Sequence, residues 1–221
     1  MKISPNNIDM SYFIAKRIID IFLSLFLLIF FSPFILVTAF AIVLDSKGPV
    51  FADTPKRVGK DGKLFRMYKF RSMVKNAHKA LMSSKKYANL YLEYKRSSYK
   101  LKDDPRITRV GRIIRKYSID EVPQFINVLK GEMSIVGPRA YHPDELQEQQ
   151  KKYPYTKDAV KVVLSVKPGI TGVWQVSGRS EVNFDKRIQL DANYATKRSI
   201  FYDLMIITKT PLAMLSGRGA M

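Results

Sequence analysis

Two adjacent carboxylates, Asp120 and Glu121, stand in a stretch that is otherwise cationic: Arg106, Arg109, Arg112 and Arg115 precede them at steps of three, and Arg139 follows. An acid pair in such surroundings has two chemical uses. One carboxylate can attack phosphorus, provided that its repulsion from phosphate is screened by a divalent cation and by guanidinium groups. The pair can also supply the one or two carboxylates with which a hard cation such as Mg²⁺ or Mn²⁺ is held beside substrate phosphate. Plainer readings compete. Ser118-Ile119-Asp120-Glu121 matches the capping box, in which Ser118 and Glu121 only satisfy N–H groups at a helix start. Arginines three apart drift slowly round a helix, so the stripe is either a solvated face or a wall for phosphate. Pro123 belongs in a helix's first turn, which on either reading puts the acids at or just before a helix N-terminus.

Few other chemistries are open to this chain. It has no Cys, which removes disulfides and thiolate metal sites, and its two His, His78 and His142, are too few for most zinc sites or a Ser-His-Asp triad. Lys and Arg number 38 against 19 Asp and Glu, and a net charge of +19 in 221 residues calls for a negative partner. Nucleic acid, anionic lipid and phosphorylated substrates all qualify. Gly137-Pro138-Arg139 and the stretch from Lys167 to Arg179 are Gly-containing turns that end in Arg, and neither is a Walker loop or a dinucleotide fingerprint.

The elements that must position these groups begin with an apolar run. Ile21 to Leu44 carries no charge for 24 residues, about 36 Å as a helix against a hydrocarbon core of roughly 30 Å. A spanning helix, a cleaved signal peptide and a re-entrant helix are the alternatives. Ser32-Pro33 falls mid-run, where Pro removes a helical hydrogen bond and invites a bend. Lys16 and Arg17 guard one end while Lys47, Lys56 and Arg57 follow the other, and a re-entrant hairpin keeps both basic flanks on one side. Strand-like pieces around Gly59-Lys60-Asp61-Gly62 predict a short β-hairpin. Residues 75–100, rich in Lys, Ala, Tyr and Leu with no Gly or Pro, predict a basic amphipathic helix, lying either at headgroup level or as a solvated face over a core stripe.

Taken together, KRIID before the Ser-Pro-broken helix, LDSKGPVF, RVGKDGKLFRMYKFRSM, DDPRITRVGRIIRKYSIDEVPQFINVLKGEMSIVGPR, VKPGITGVWQVSGR and FYDLMIITKT resemble the bacterial sugar transferase family, the monotopic polyprenyl-phosphate phosphoglycosyl transferases. The resemblance runs from Lys16 to Met221. It implies an α+β, predominantly helical fold: a small cytosolic catalytic domain with a β-hairpin, held on the cytoplasmic face of the bacterial inner membrane by a re-entrant helix and interfacial amphipathic helices. The expected organisation is an N-terminal extension over residues 1–15, the membrane helix over 16–45 and the catalytic domain over 46–221. The few residues before Lys16 resemble the minimal form, whereas the GRGA ending is more similar to larger relatives.

The implied activity transfers a sugar phosphate from a UDP-sugar to polyprenyl (undecaprenyl) phosphate and releases UMP, as the initiating step of exopolysaccharide, capsule, O-antigen or glycoprotein assembly. By the same resemblance Asp120 is the nucleophile that carries a covalent phosphosugar, and Glu121 is the second acid, helping with metal placement or deprotonation. Arg115, Arg139 and Arg179 are phosphate clamps, and Lys69 and Asp203 match further substrate-binding positions. Implied partners are the two substrates and anionic membrane lipid, with a homodimer left open and nucleic acid excluded. The rivals are an ordinary glycosyltransferase, which releases UDP, a basic nucleic-acid-binding membrane protein, which leaves the acid pair without purpose, and a scaffold that has lost activity, against which the intact pair argues.

Overall fold

The computed structural model describes residues 10–96, 101, 103–177 and 183–215. Helices α1 (Met10–Phe30) and α2 (Ser32–Asp45) are two arms bent by 62°. The bend has a local cause. Pro33 has no N–H to offer the carbonyl of Ile29, four residues back, and the Ser32 hydroxyl donates to that oxygen instead at 2.7 Å. Apolar side chains cover the outside of both arms, among them Phe22, Ile29 and Leu36, each about 70% exposed. Among the described residues no single helix is long and apolar enough to cross a membrane, whereas the bent pair together has the length and composition.

Three charged residues of α1 seat this hairpin on the rest of the chain. Lys16 Nζ pairs with Asp203 Oδ2 at 2.8 Å, Arg17 donates to the carbonyls of Val128 and Leu129 at 2.6 and 2.9 Å, and Asp20 accepts from Ser134 Oγ and the Ile135 N–H at 3.1 and 3.0 Å. At the other end the buried Arg71 donates to the carbonyls of Ser46 and Pro49 at 2.7 and 2.6 Å and to the Ser46 hydroxyl, closing the exit of α2.

Strands β1 (Arg57–Val58) and β2 (Leu64–Phe65) form the expected antiparallel hairpin, with Arg57 opposite Phe65. Its turn is a 3-10 segment, Lys60–Gly62, in which Asp61 (φ 55°) and Gly62 (φ 77°) adopt the left-handed conformation. The single helix expected over 75–100 is instead α3 (Ala77–Ser83) and α4 (Ala88–Arg96), separated at Ser84, which is extended. Ser83 turns its hydroxyl back to the Lys79 carbonyl at 2.8 Å, and serine pairs of this kind offer the backbone alternatives to helix.

Next come α5 (Arg109–Lys116), capped by the Thr108 hydroxyl, a 3-10 turn Ile119–Glu121, and α6 (Gln124–Leu129). Strand β3 (Ser134–Val136) pairs in parallel with β4 (Gly169–Thr171), with α7 (Pro143–Lys152) and α8 (Lys157–Leu164) between them. A Cβ on Gly169 would stand 2.1 Å from the Gly137 nitrogen, so glycine is what lets the two Gly-containing segments meet. Helices α9 (Val173–Val176), α10 (Phe184–Lys197) and α11 (Ile200–Leu215) complete an α+β chain that is mostly helical.

Two buried clusters form the main core: Tyr141, Leu146, Val160 and Ile188 join α7, α8 and α10, and Met67, Val128, Met133 and Ile206 join α6, β3 and α11. A third, Ile42, Phe70 and Ile114, ties α2 to α5.

The close fit of α5 yields a prediction. A Cβ on Gly111 would lie 1.9 Å from the carbonyl oxygen of Ser72, the strand-like neighbour on which α5 rests. Gly111→Ala is therefore expected to destabilise the protein by about 3 kcal/mol, read as a lowered midpoint of thermal unfolding in detergent.

Candidate active site

A cavity of about 1460 Å³ opens between the bent helix pair and the other helices, and Lys69, Arg115, Asp120, Glu121 and Arg139 all line it. Asp120 sits in the 3-10 turn after α5, buried, and its carbonyl accepts the Phe70 N–H at 3.0 Å. That bond aligns the neighbouring Lys69, whose strand-like segment pairs with Phe51. Lys69 Nζ lies 2.6 Å from Glu121 Oε1 and 3.8 Å from Asp120 Oδ2, so one ammonium bridges both acids.

The capping box is not formed. Ser118 is left-handed (φ 56°) with no side-chain cap, and Glu121 points to Lys69 rather than back to the chain. Nor is the arginine stripe a single feature. Arg106 precedes the helix and, although it lines the cavity, is buried in a bidentate pair with Asp104, Arg109 and Arg112 are exposed, and Arg115 lies at the cavity where its charge acts on Asp120.

The two acids differ in their proton affinity. Burial pushes the Asp120 carboxyl up to about 6, against the opposing pull of Lys69 and with a further push from the Glu121 charge. Glu121 is held below the ordinary glutamate value: burial works against its charge, but Lys69, Arg139 and Arg57 outweigh it. At neutral pH both are carboxylates, and Asp120 is the more basic of the two.

Arg139 is mounted through its backbone. Its N–H donates to Asp191 Oδ2 at 3.1 Å, and its guanidinium lies over the Trp174 ring at 5.1 Å, with Arg187 also over that ring at 5.2 Å. Arg57 and Trp174 line the cavity, whereas Arg187 and Asp191 reach it only through Trp174 and Arg139; the sequence marks Arg57 only as a basic flank of the apolar run and gives the other three no role. Trp174 stands inside the VKPGITGVWQVSGR segment and Arg57 opens RVGKDGKLFRMYKFRSM, which are the available signals; Arg187 and Asp191 carry none. Asp203 is not brought into the cavity: it lies beneath α1, where Lys16, Tyr12 Oη (3.1 Å) and Tyr194 Oη (2.6 Å) all reach its carboxylate. Arg179 falls outside the described residues.

Asp191 supports a second prediction. Burial raises its carboxyl to about 7, opposed by the bonds from Arg139 and Tyr141, so the folded chain holds a proton there that the unfolded chain, near 3.8, has released. Stability from this proton is complete below pH 4 and is lost as pH rises through 7. Asp191→Asn, which mimics the protonated acid, is expected to match the unaltered protein near pH 4 and to exceed its unfolding temperature by roughly 5 °C at pH 8.

Among the described residues no group of three or more His, Cys, Asp or Glu comes together, so a closed zinc-type site has no donors. The donor set at Asp120 and Glu121, two adjacent carboxylates opening on a cavity, suits instead a hard cation that completes its coordination with water and substrate oxygen.

The bacterial sugar transferase family model matches residues 11–217, and the chain belongs to that family. It is 41% identical, over its whole length, to the undecaprenyl-phosphate galactose phosphotransferase of Salmonella typhimurium, of which it spans 44%. It is 37% identical, over 94% of its length, to the exopolysaccharide production protein ExoY of Sinorhizobium fredii, of which it spans 88%. A UDP-N-acetylgalactosamine-undecaprenyl-phosphate N-acetylgalactosaminephosphotransferase of Aeromonas hydrophila is 37% identical over 95% of the chain, which spans 45% of that protein. The chain thus spans less than half of two of these relatives and most of the third.

Proposed function

We propose that the chain transfers a sugar phosphate from a UDP-sugar to a polyprenyl phosphate, at the cytoplasmic face of the bacterial inner membrane, in the assembly of a lipid-linked glycan. One observation carries this reading: a buried carboxylate, bridged to a second acid by Lys69, lies in a cavity lined both by arginines and by apolar side chains of the bent hairpin. Leu23, Leu27, Phe31 and Phe34 supply that apolar lining, with Ile207 and Met214 of α11. A phosphate on a prenyl chain needs both surfaces at once.

In the first step an Asp120 carboxylate oxygen attacks the phosphorus that bears the sugar. The bond from that phosphorus to the bridging oxygen breaks, and UMP leaves with the electron pair. Lys69, Arg115 and Arg139 offset the charge that gathers on the phosphoryl oxygens. In the second step an oxygen of polyprenyl phosphate attacks the same phosphorus, and the Asp120 carboxylate departs, giving a sugar diphosphate on the lipid. Mg²⁺ or Mn²⁺, held by Asp120 and Glu121, would supply further neutralisation between carboxylate and diphosphate. The hairpin enters and leaves the membrane on one side, consistent with its 62° bend and its basic flanks. The Lys- and Tyr-bearing α3 and α4 suit the headgroup level, beside anionic lipid.

Purified protein incubated with a panel of UDP-sugars and Mg²⁺, with and without polyprenyl phosphate, tests the reading. UMP release that slows in excess chelator and needs the acceptor for repeated turnover is expected. Release of UDP would instead identify an ordinary glycosyltransferase, and salt-dependent retention on DNA without turnover a nucleic-acid-binding protein.

A further inference from the structure

Arg57, the first residue of β1, is a cation without a counterpart. Its Nε is sealed from solvent and has no hydrogen-bond partner, and its Nη1 reaches only the Ala140 carbonyl, at the long distance of 3.3 Å. Among the described residues no carboxylate forms an ion pair with it. The Val58 N–H donates to the Tyr141 carbonyl at 2.9 Å, which lays β1 along the Arg139–Tyr141 segment and brings Arg57 beside Arg139. Arg139 repeats the pattern, for its Nε is likewise buried and unpartnered. Two adjacent guanidinium groups with unused donors repel each other, and both face the cavity that holds the acid pair. Burial, followed by the neighbouring Arg139 charge, lowers the Arg57 pKa to about 10, which still leaves it charged at neutral pH. Such a pair is completed by an anion with several oxygens.

Position tells which anion. The strongest cationic influences on Asp120 come from Lys69 and Arg115, whereas Glu121 feels Lys69, Arg139 and Arg57. Arg57 and Arg139 therefore stand on the Glu121 side of the nucleophile. The lining groups that feel the Arg57 charge are polar and aromatic, His78, Tyr94 and His142. A phosphate held there has a polar substituent.

We propose that Arg57, together with Arg139, binds the phosphate of the departing nucleoside monophosphate, so that the β-hairpin is the nucleotide side of the site and the bent helices are the lipid side. This rests on the sugar-phosphate transfer reading above. Arg57 contributes by holding the leaving phosphate in line with Asp120 and by balancing the negative charge that it gains as the bridging bond breaks.

The test measures equilibrium binding of UMP and of uridine to the full chain in detergent, for the unaltered protein, Arg57→Gln and Arg57→Lys. The unaltered protein is expected to prefer UMP strongly. Arg57→Gln should weaken UMP about 10- to 100-fold while leaving uridine within about twofold, with Arg57→Lys between the two. The conservative variant and an unchanged uridine affinity separate lost phosphate contact from lost folding. Equal weakening of both ligands, or no change in UMP, would overturn the assignment, as would a loss that appears in polyprenyl phosphate binding instead. Failure of the unaltered protein to bind UMP at all would count against the transfer reading itself.

Discussion

Asp120→Asn is expected to lower turnover by roughly four to six orders of magnitude, the range seen when a nucleophile that forms a covalent intermediate is removed. The substitution is nearly isosteric, and the backbone carbonyl of Asp120, which accepts the Phe70 N–H, is untouched. Folding and extraction from the membrane should therefore be unchanged. An uncharged amide at this buried position removes the negative charge that burial disfavours, so the variant should be no less stable than the unaltered protein. The decisive measurement is trapping with a donor labelled in its sugar: label should stay on the unaltered polypeptide when acceptor is withheld, and should be absent from the variant. Turnover at the normal rate in Asp120→Asn, or label retained on it, would assign the covalent step to another group.

Lys69→Met carries the second large effect. Its ammonium spans the acid pair, 2.6 Å from Glu121 and 3.8 Å from Asp120, with only about a fifth of the side chain exposed. Methionine fills similar volume but leaves two neighbouring carboxylates facing each other in a partly desolvated site. Their repulsion then opposes approach of the donor's diphosphate as well. A loss of about 10²- to 10³-fold in kcat is expected, falling on formation of the intermediate rather than on its discharge, with a smaller change in donor KM. Lys69→Arg, which keeps the charge with different geometry, should recover part of the rate. Rapid-quench measurement of the first UMP released separates these outcomes, and a Lys69→Met enzyme with an unaltered burst would remove Lys69 from the first step.

Much of the frame was legible because it depends on local chemistry. Ser32-Pro33 announced the bend, since a missing N–H acts on its own turn wherever the helix lies. Gly59 to Gly62 announced the hairpin, since the left-handed φ values of its turn come readily to Asp61 and Gly62. Short range also explains where the reading strayed. The capping box at Ser118 and the unbroken helix over 75–100 are sound local patterns, yet Ser118 turned left-handed to carry Glu121 toward Lys69, a partner 52 residues away.

The sequence alone, then, determined the family and narrowed the chemistry to a few candidate residues. An adjacent acid pair among arginines, with neither cysteine nor enough histidine for another mechanism, leaves few chemistries open, and the ordered motifs select among them. Only the tertiary structure decided which of many like residues meet at the cavity. Thirty-eight cations are alike on paper, but burial and distance sort them: Arg106 is consumed by Asp104, Arg109 and Arg112 face solvent, Lys16 is tied to Asp203, and Arg57 is left beside Arg139 with unused donors. The physical reason is that charge is written in the chain, whereas desolvation and pairing exist only once distant segments have been packed together.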